Sequence, residues 1–264
     1  MAFRLTEEQV SQWHDDGYLV VPGLFDPEEI ELVYRIARAD REMDTAPGRK
    51  DAEGGVSRLR LRNELYDDIY SACVRCRRVS DTMETLLGDE VYHWHHKMML
   101  KEPRVGGAWE WHQDYGYWYA NNSCLWPDLA SCAIAVDRAS RENGCLQLIK
   151  GSHRCGRIEH GMTGEQTGAD LERVKALLER LPLVYAELGP GDALFFHANT
   201  LHRSDQNRSE HPRWTLICCY NTRHNDPYKW TGGHPKYHRL EKLDDSEVRT
   251  IGRRQWEQMG AHAT

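Results

Sequence analysis

Apolar positions in the first ninety residues recur at helical spacing; from about residue 90 they alternate or run together as strands do. Thr6 and Gln9 form a capping box ahead of a helix that runs through Val10 and Trp13 and stops at Gly17. Tyr18-Leu19-Val20-Val21 is a short strand ended by Pro22. Asp26-Pro27-Glu28-Glu29 then opens a second helix, with Asp as cap, Pro at the first helical position and acid in the first turn. Ile30, Val33, Ile36 and Ala37 give it an apolar stripe. Residues 44–60 are rich in Gly, Asp and Arg and read as a loop. Helical spacing returns through Leu65, Ile69, Cys73 and Val79, and again over 81–87 before Gly88.

Strands are expected at Val91–Leu100, Trp109–Asp114, Ser131–Val136, Gly144–Ile149, Leu183–Leu188, Ala193–His197, Leu201–Ser204 and Arg213–Tyr220. Turn signals punctuate them at Gly106-Gly107, Glu142-Asn143-Gly144 and Gly189-Pro190-Gly191-Asp192. One amphipathic helix, about 170–181, interrupts the series. Many short strands with sharp turns suggest a jelly roll or barrel. The expected fold is mainly β with flanking helices, a double-stranded β-helix (jelly roll). A single domain over 1–264 is expected, with a helical part at 1–89, the jelly-roll core at 90–221 and a tail at 222–264 ending in a helix near 244–258.

The 264 residues suffice for a substantial core, and 28% charged with 40% hydrophobic residues is ordinary for a soluble globular chain. A net charge of −7 makes no global case for nucleic-acid binding. No apolar run is long enough to suggest a transmembrane helix, and the N-terminus does not resemble a signal peptide. The eight cysteines are scattered; Cys73 and Cys76 form a Cys-x-x-Cys with no second pair at zinc spacing. Adjacent Cys218 and Cys219 would face opposite sides of a strand. A reduced, cytoplasmic chain is the simpler expectation.

The candidate chemistry lies at His112-Gln113-Asp114, followed by His202 and Arg213. On a strand, residues i and i+2 share a face, so His-x-Asp aims two side chains at one ion. A third ligand must come from another strand, and His202 supplies it, with His197 as a rival. Two imidazoles and one carboxylate on one face of Fe(II) leave positions open for O₂ and a chelating 2-oxo acid. Arg213 offers a planar, always-charged fork for the far carboxylate of 2-oxoglutarate. His14-Asp15-Asp16 and His224-Asn225-Asp226 share the spacing, but they sit at a helix end and in a loop before Pro227.

Strand parity places Glu110 and Gly116 on the metal side, with Trp109, Trp111 and Tyr115 pointing away. Tyr117 and Trp118 follow the strand and are free to meet substrate. Arg58, Arg60 and Arg62 would share a face if that stretch is extended. With these aromatics, Arg60 and Arg62 suggest a small substrate with an anionic group and an apolar or ring-shaped body. A neutral secondary metabolite is the alternative.

The chain resembles the phytanoyl-CoA dioxygenase family of Fe(II)/2-oxoglutarate oxygenases over most of residues 5–221. The likeness rests on "LTEEQVSQWHDDGYLVVPGLFDPEEI", "WHQD", "RENGCLQLIKGSH" and "GPGDALFFHANTLHRSDQNRSEHPRWTL". It implies that His112, Asp114 and His202 are the catalytic metal ligands, His202 taking precedence over His197 through its spacing to Arg213. It further implies that Arg213 is the main cosubstrate anchor, assisted by Ser204 and touched by Lys97. Two departures stand out: Lys150 replaces the usual Pro before Gly151, and Ala133 takes a position where relatives often carry Trp, leaving a roomier pocket. Asp114 occupies the carboxylate position that halogenating relatives leave to chloride. The implied reaction is therefore oxidation of a C–H bond by O₂, by hydroxylation, desaturation or ring closure, with release of succinate and CO₂. The rival readings are a cupin-type metal enzyme not using 2-oxoglutarate and a noncatalytic ligand-binding jelly roll; iron-dependent succinate formation separates both from an oxygenase.

Overall fold

Thr6 caps helix α1 (Glu7–Asp16) reciprocally: its hydroxyl accepts from Gln9 N, and Gln9 Oε1 accepts from Thr6 N. Gly17 ends the helix in the left-handed region, at φ +77°, where a Cβ is disfavoured. After strand β1 (Tyr18–Val21), Asp26 and Glu29 cap α2 (Pro27–Ala39) in the same way. The computed structural model describes residues 3–163 and 165–261.

The segment expected to be a loop is instead a hairpin of β2 (Gly48–Lys50) and β3 (Val56–Arg62). It forms because β4 (Val91–Lys101) offers an open edge that pairs with β3 from Ser57 to Arg62 and satisfies its backbone. The helical stretch that follows divides into α3 (Ile69–Arg75) and α4 (Arg77–Leu87). The break falls at Cys76, whose extended backbone bridges to Leu243.

The remaining elements are β5 (Trp109–His112), α5 (Asp114–Asn122), β6 (Leu129–Ala135), β7 (Leu146–Ile149), β8 (His160–Thr163), β9 (Gln166–Ala169), α6 (Leu171–Leu178), β10 (Leu183–Ala186), β11 (Ala193–His197), β12 (His202–Ser204), β13 (Arg213–Thr222) and α7 (Glu247–Ala261). A seven-stranded sheet runs β1-β11-β6-β13-β4-β3-β2, and a four-stranded sheet runs β10-β7-β12-β5. The pairings are antiparallel, as a double-stranded β-helix requires. The β8–β9 hairpin stands apart from both sheets and was not legible as strand.

Strand parity divides the large sheet between two cores. Leu100, Ile134, Phe195, Leu216 and Cys218 pack with Ile36, Ile69, Val79 and Met83 of the helices. Ala133, Ala135, Leu194, Phe196, Ile217 and Cys219 face the smaller sheet, where Leu148 and Ala186 meet them. Each fully buried aliphatic side chain of this kind contributes about 1.5–3 kcal/mol. Cys218 and Cys219 do fall on opposite faces, and all eight cysteines are free. No helix among the described residues is long and apolar enough to cross a membrane.

Candidate metal centre

His112 ends β5 and His202 begins β12, and the two are direct cross-strand partners. Their rings lie 4.1 Å apart, centroid to centroid. Asp114, expected on the strand, instead opens helix α5. Gln113 between them keeps an extended backbone, so the carboxylate still turns to the side of His112. The Gln113 side chain points the other way and is fully buried. Its amide donates to the Asn199 carbonyl and to Gly156 O, each at 2.9 Å, and accepts from Ile158 N at 2.7 Å. That clamp fixes the backbone at the point where strand becomes helix.

One nitrogen of each imidazole is committed. His112 Nδ1 lies 2.7 Å from Glu110 O, and His202 Nδ1 lies 2.9 Å from Thr200 O. A carbonyl only accepts, so both Nδ1 atoms carry the proton and both Nε2 atoms present lone pairs. His112 Nε2 is 3.6 Å from Asp114 Oδ1, and ligand atoms from all three residues lie within 4.8 Å of one another. Ser131 Oγ donates to Asp114 Oδ2 at 3.3 Å, steadying the carboxylate. Burial drives His202 down to about 3 and keeps it neutral. Burial works against the Asp114 carboxylate, but contacts with His112, His202 and Lys97 outweigh it and hold the group well below the usual range. Neutral nitrogens and an ionised carboxylate are the donor set a divalent iron takes, so the residues fit the metal.

The triad stands at a waist between two cavities, with Lys97, Trp109, His112 and Asp114 bordering both. The inner chamber lies between the two sheets. Ala133, Ala135, Phe196 and Ile217 form much of its wall, and Ser204 and Arg213 reach it. Arg213 is 5% exposed, donates through Nη1 to Gly144 O, and finds no partner for its buried Nε among the described residues. Burial lowers its pKa to about 10, against the smaller upward pull of Cys145 and Asp137. The outer cleft holds about 300 Å³ and opens between β3, α5 and the β8–β9 hairpin.

The phytanoyl-CoA dioxygenase (PhyH) family model matches residues 13–215. The chain belongs to the phytanoyl-CoA dioxygenase family. It is 31% identical over 228 residues to L-proline trans-4-hydroxylase of Streptomyces griseoviridis, covering 80% of this chain and 85% of that one. It is 27% identical over 250 residues to ectoine dioxygenase of Bordetella bronchiseptica, covering 88% and 79%. The fold superimposes on the crystal structure of EctD from S. alaskensis with bound Fe at a TM-score of 0.75, with 22% identity, covering 91% of this chain and 88% of that one. This family member is an Fe(II)/2-oxoglutarate-dependent dioxygenase.

In this dioxygenase Lys97 and Ser204 line the inner chamber, and Tyr117 and Trp118 line the cleft. Arg60 and Arg62 do not line it. Leu59 and Leu61 occupy the cleft side of β3, and the arginines alternate to the other side. There Arg62 pairs with Asp68 and Glu42, each at 2.9 Å, and Arg60 with Glu42 at 3.1 Å. Trp109 lines both cavities, contrary to simple parity, because the β5–β12 pair carries a register shift that inserts a residue between Trp109 and His112. His197 packs against Trp13 and His153, with Nδ1 accepting from Asn199 N. His14 closes α1, and His224 is held by Asp89 and Asp128 at 2.8 Å each.

The sequence does not single out Arg49 and Glu165, which line the cleft, or Lys101, which contacts Ser204; His95, whose sequence context reads as structural or supporting, also lines the cleft. His95 is 7% exposed and its Nε2 has no partner among the described residues. The signal was available on β4, where 95, 97, 99 and 101 follow one parity.

Proposed function

We propose that this dioxygenase hydroxylates a C–H bond of a small zwitterionic metabolite, an amino acid or a close derivative. In this reading His112, Asp114 and His202 hold Fe(II), and Arg213 receives the far carboxylate of 2-oxoglutarate with Ser204 and Lys97 beside it. The observation that carries it is one chamber in which three converging metal donors face a buried guanidinium that forms no ion pair among the described residues.

Bound Fe(II), 2-oxoglutarate and O₂ supply the oxidation, with succinate and CO₂ released. The protein contributes binding, orientation and exclusion of water. The two Nδ1–H···O=C bonds set the direction of both Nε2 lone pairs, and the Ser131 hydroxyl sets the carboxylate. The alanine, phenylalanine and isoleucine walls keep the chamber dry, which strengthens the Arg213–carboxylate attraction. The outer cleft holds the substrate against the triad. It presents cationic Arg49 and Lys97, anionic Glu165, the His95 imidazole and the Trp118 ring. Charges of both signs around 300 Å³ suit a compact molecule that itself carries both signs. With Arg60 and Arg62 out of the cleft, a purely anionic substrate loses its support. The relatives named for L-proline and ectoine act on small, charged ring molecules, which supports the same class.

The test incubates the iron-loaded enzyme with 2-oxoglutarate and candidate substrates, following succinate and product mass together. L-Proline, other cyclic amino acids and ectoine should include a substrate that gains one oxygen in step with succinate. Coupled turnover confined to acyl-CoA thioesters, or to uncharged metabolites, overturns the substrate class.

A further inference from the structure

Lys101 is the most completely buried charged side chain described, at 0% exposure. It ends β4 as the Cα partner of Arg213 on β13, so two cations stand side by side inside the protein. Neither makes an ion pair with a carboxylate among the described residues. The nearby acids are engaged elsewhere: Asp137 with the backbone N–H of Trp214, Asp205 with Arg203 and Gln147, and Asp51 with the backbone N–H groups of Gly55 and Ala108. Two adjacent buried cations without an anion are costly, unless a ligand brings the anion.

The Lys101 ammonium donates to Ser204 Oγ at 2.8 Å and to the Asp205 carbonyl. Among the described residues the Ser204 hydroxyl donates to no protein acceptor. One lone pair is therefore taken, and its proton is free to turn into the chamber that Ser204 lines with Arg213. Burial first, and then the neighbouring Arg213 charge, hold the Lys101 pKa well below the lysine range, as expected for a cation awaiting a counter-charge.

Resting on the oxygenase reading above, we propose that Lys101 is a positioning residue for the cosubstrate. It turns the Ser204 hydroxyl into a donor toward the far carboxylate, and with Arg213 it selects a dicarboxylic over a monocarboxylic 2-oxo acid.

The experiment measures binding by calorimetry to the full-length protein loaded with Zn(II), so that no turnover intervenes. The probes are 2-oxoglutarate and 2-oxopentanoate, which keeps the chelating end and lacks the far carboxylate. Lys101→Met should weaken 2-oxoglutarate binding about tenfold or more while 2-oxopentanoate changes by less than about twofold. Ser204→Ala should do the same, and the double variant should be no weaker than Lys101→Met alone, because the two act through one contact. If Lys101→Met does not melt cooperatively, Lys101→Gln takes its place: it keeps an N–H donor and should retain part of the preference. Undiminished 2-oxoglutarate affinity, an equal loss for both probes, or additive losses overturn the proposal. If the unaltered protein binds no 2-oxoglutarate, the oxygenase reading falls first and this inference falls with it.

Discussion

Two imidazoles whose Nδ1 atoms are committed to main-chain carbonyls have one lone pair each to offer, and with the Asp114 carboxylate their ligand atoms lie close enough to share one ion. Removing one should therefore cost the site rather than the fold. His112→Ala should lose bound iron on dialysis while melting cooperatively, with succinate formation falling to background; a variant that keeps stoichiometric metal and full turnover would sink the ligand set. Arg213 predicts a different phenotype. Arg213→Ala leaves a carboxylate without its charge-assisted partner, a cost of roughly 2–5 kcal/mol. The apparent affinity for 2-oxoglutarate should fall steeply while metal retention is unchanged. Unaltered dependence on 2-oxoglutarate would show that another cation carries the anchor.

At the scale of elements, the centre depends on an irregular junction held by its neighbours. Gln113 N donates to His160 Nε2 at 2.9 Å, while His160 Nδ1 lies 2.8 Å from Ile158 O, so that ring is fixed at both ends. Gly116 in α5 lies directly against it: an added Cβ would meet His160 Cε1 at 2.1 Å. Gly116→Ala should cost about 1–3 kcal/mol of stability by overpacking. Because the displaced ring holds the residue before Asp114, iron affinity should fall as well. A normal urea midpoint together with normal iron affinity would show that the hairpin does not support the centre. The opposite end of the hairpin is tied by Gln166, which donates to Lys50 O and Ala108 O and accepts from Glu110 N at 3.0 Å. One glutamine thus joins the β2 end, β5 and the cleft wall.

For the molecule as a whole, buried neutral histidines set the acid limit of stability. Burial lowers His95 and His197 to about 3 and His96 to about 4. In the unfolded chain these rings titrate near ~6.5. Below that value the unfolded state binds more protons than the folded one, so stability is full above about pH 6.5 and falls as pH drops toward the folded values. His224 acts in the opposite sense, since Asp89 and Asp128 raise it, but it is a surface group and screened. The urea midpoint should be flat from about pH 7 to 8 and decline steadily from about pH 6.5 to 5. A midpoint that rises over the lower interval would mean the rings are protonated in the folded state.

The sequence by itself determined the elements whose signals are local. The capping boxes at Thr6 and Asp26, the two-residue period of β4, β6 and β13, and the turns between them come from neighbours in the chain, and the structure places them where that period requires. His112 and Asp114 were legible for the same reason, being two residues apart in an extended stretch. What lay beyond was decided by partners distant in sequence. β2 and β3 are strands because β4 leaves an edge for them, and that edge turns Arg60 and Arg62 away from the cleft. The shift in the β5–β12 pair brings Trp109 inward against its parity. His202 stands at the centre and His197 against Trp13 because cross-strand pairing, which no local pattern records, sets His202 opposite His112. Lys101 reads in the chain as an ordinary strand-end lysine; only the packing of two sheets buries it beside Arg213 and sets its charge against a serine 103 positions away.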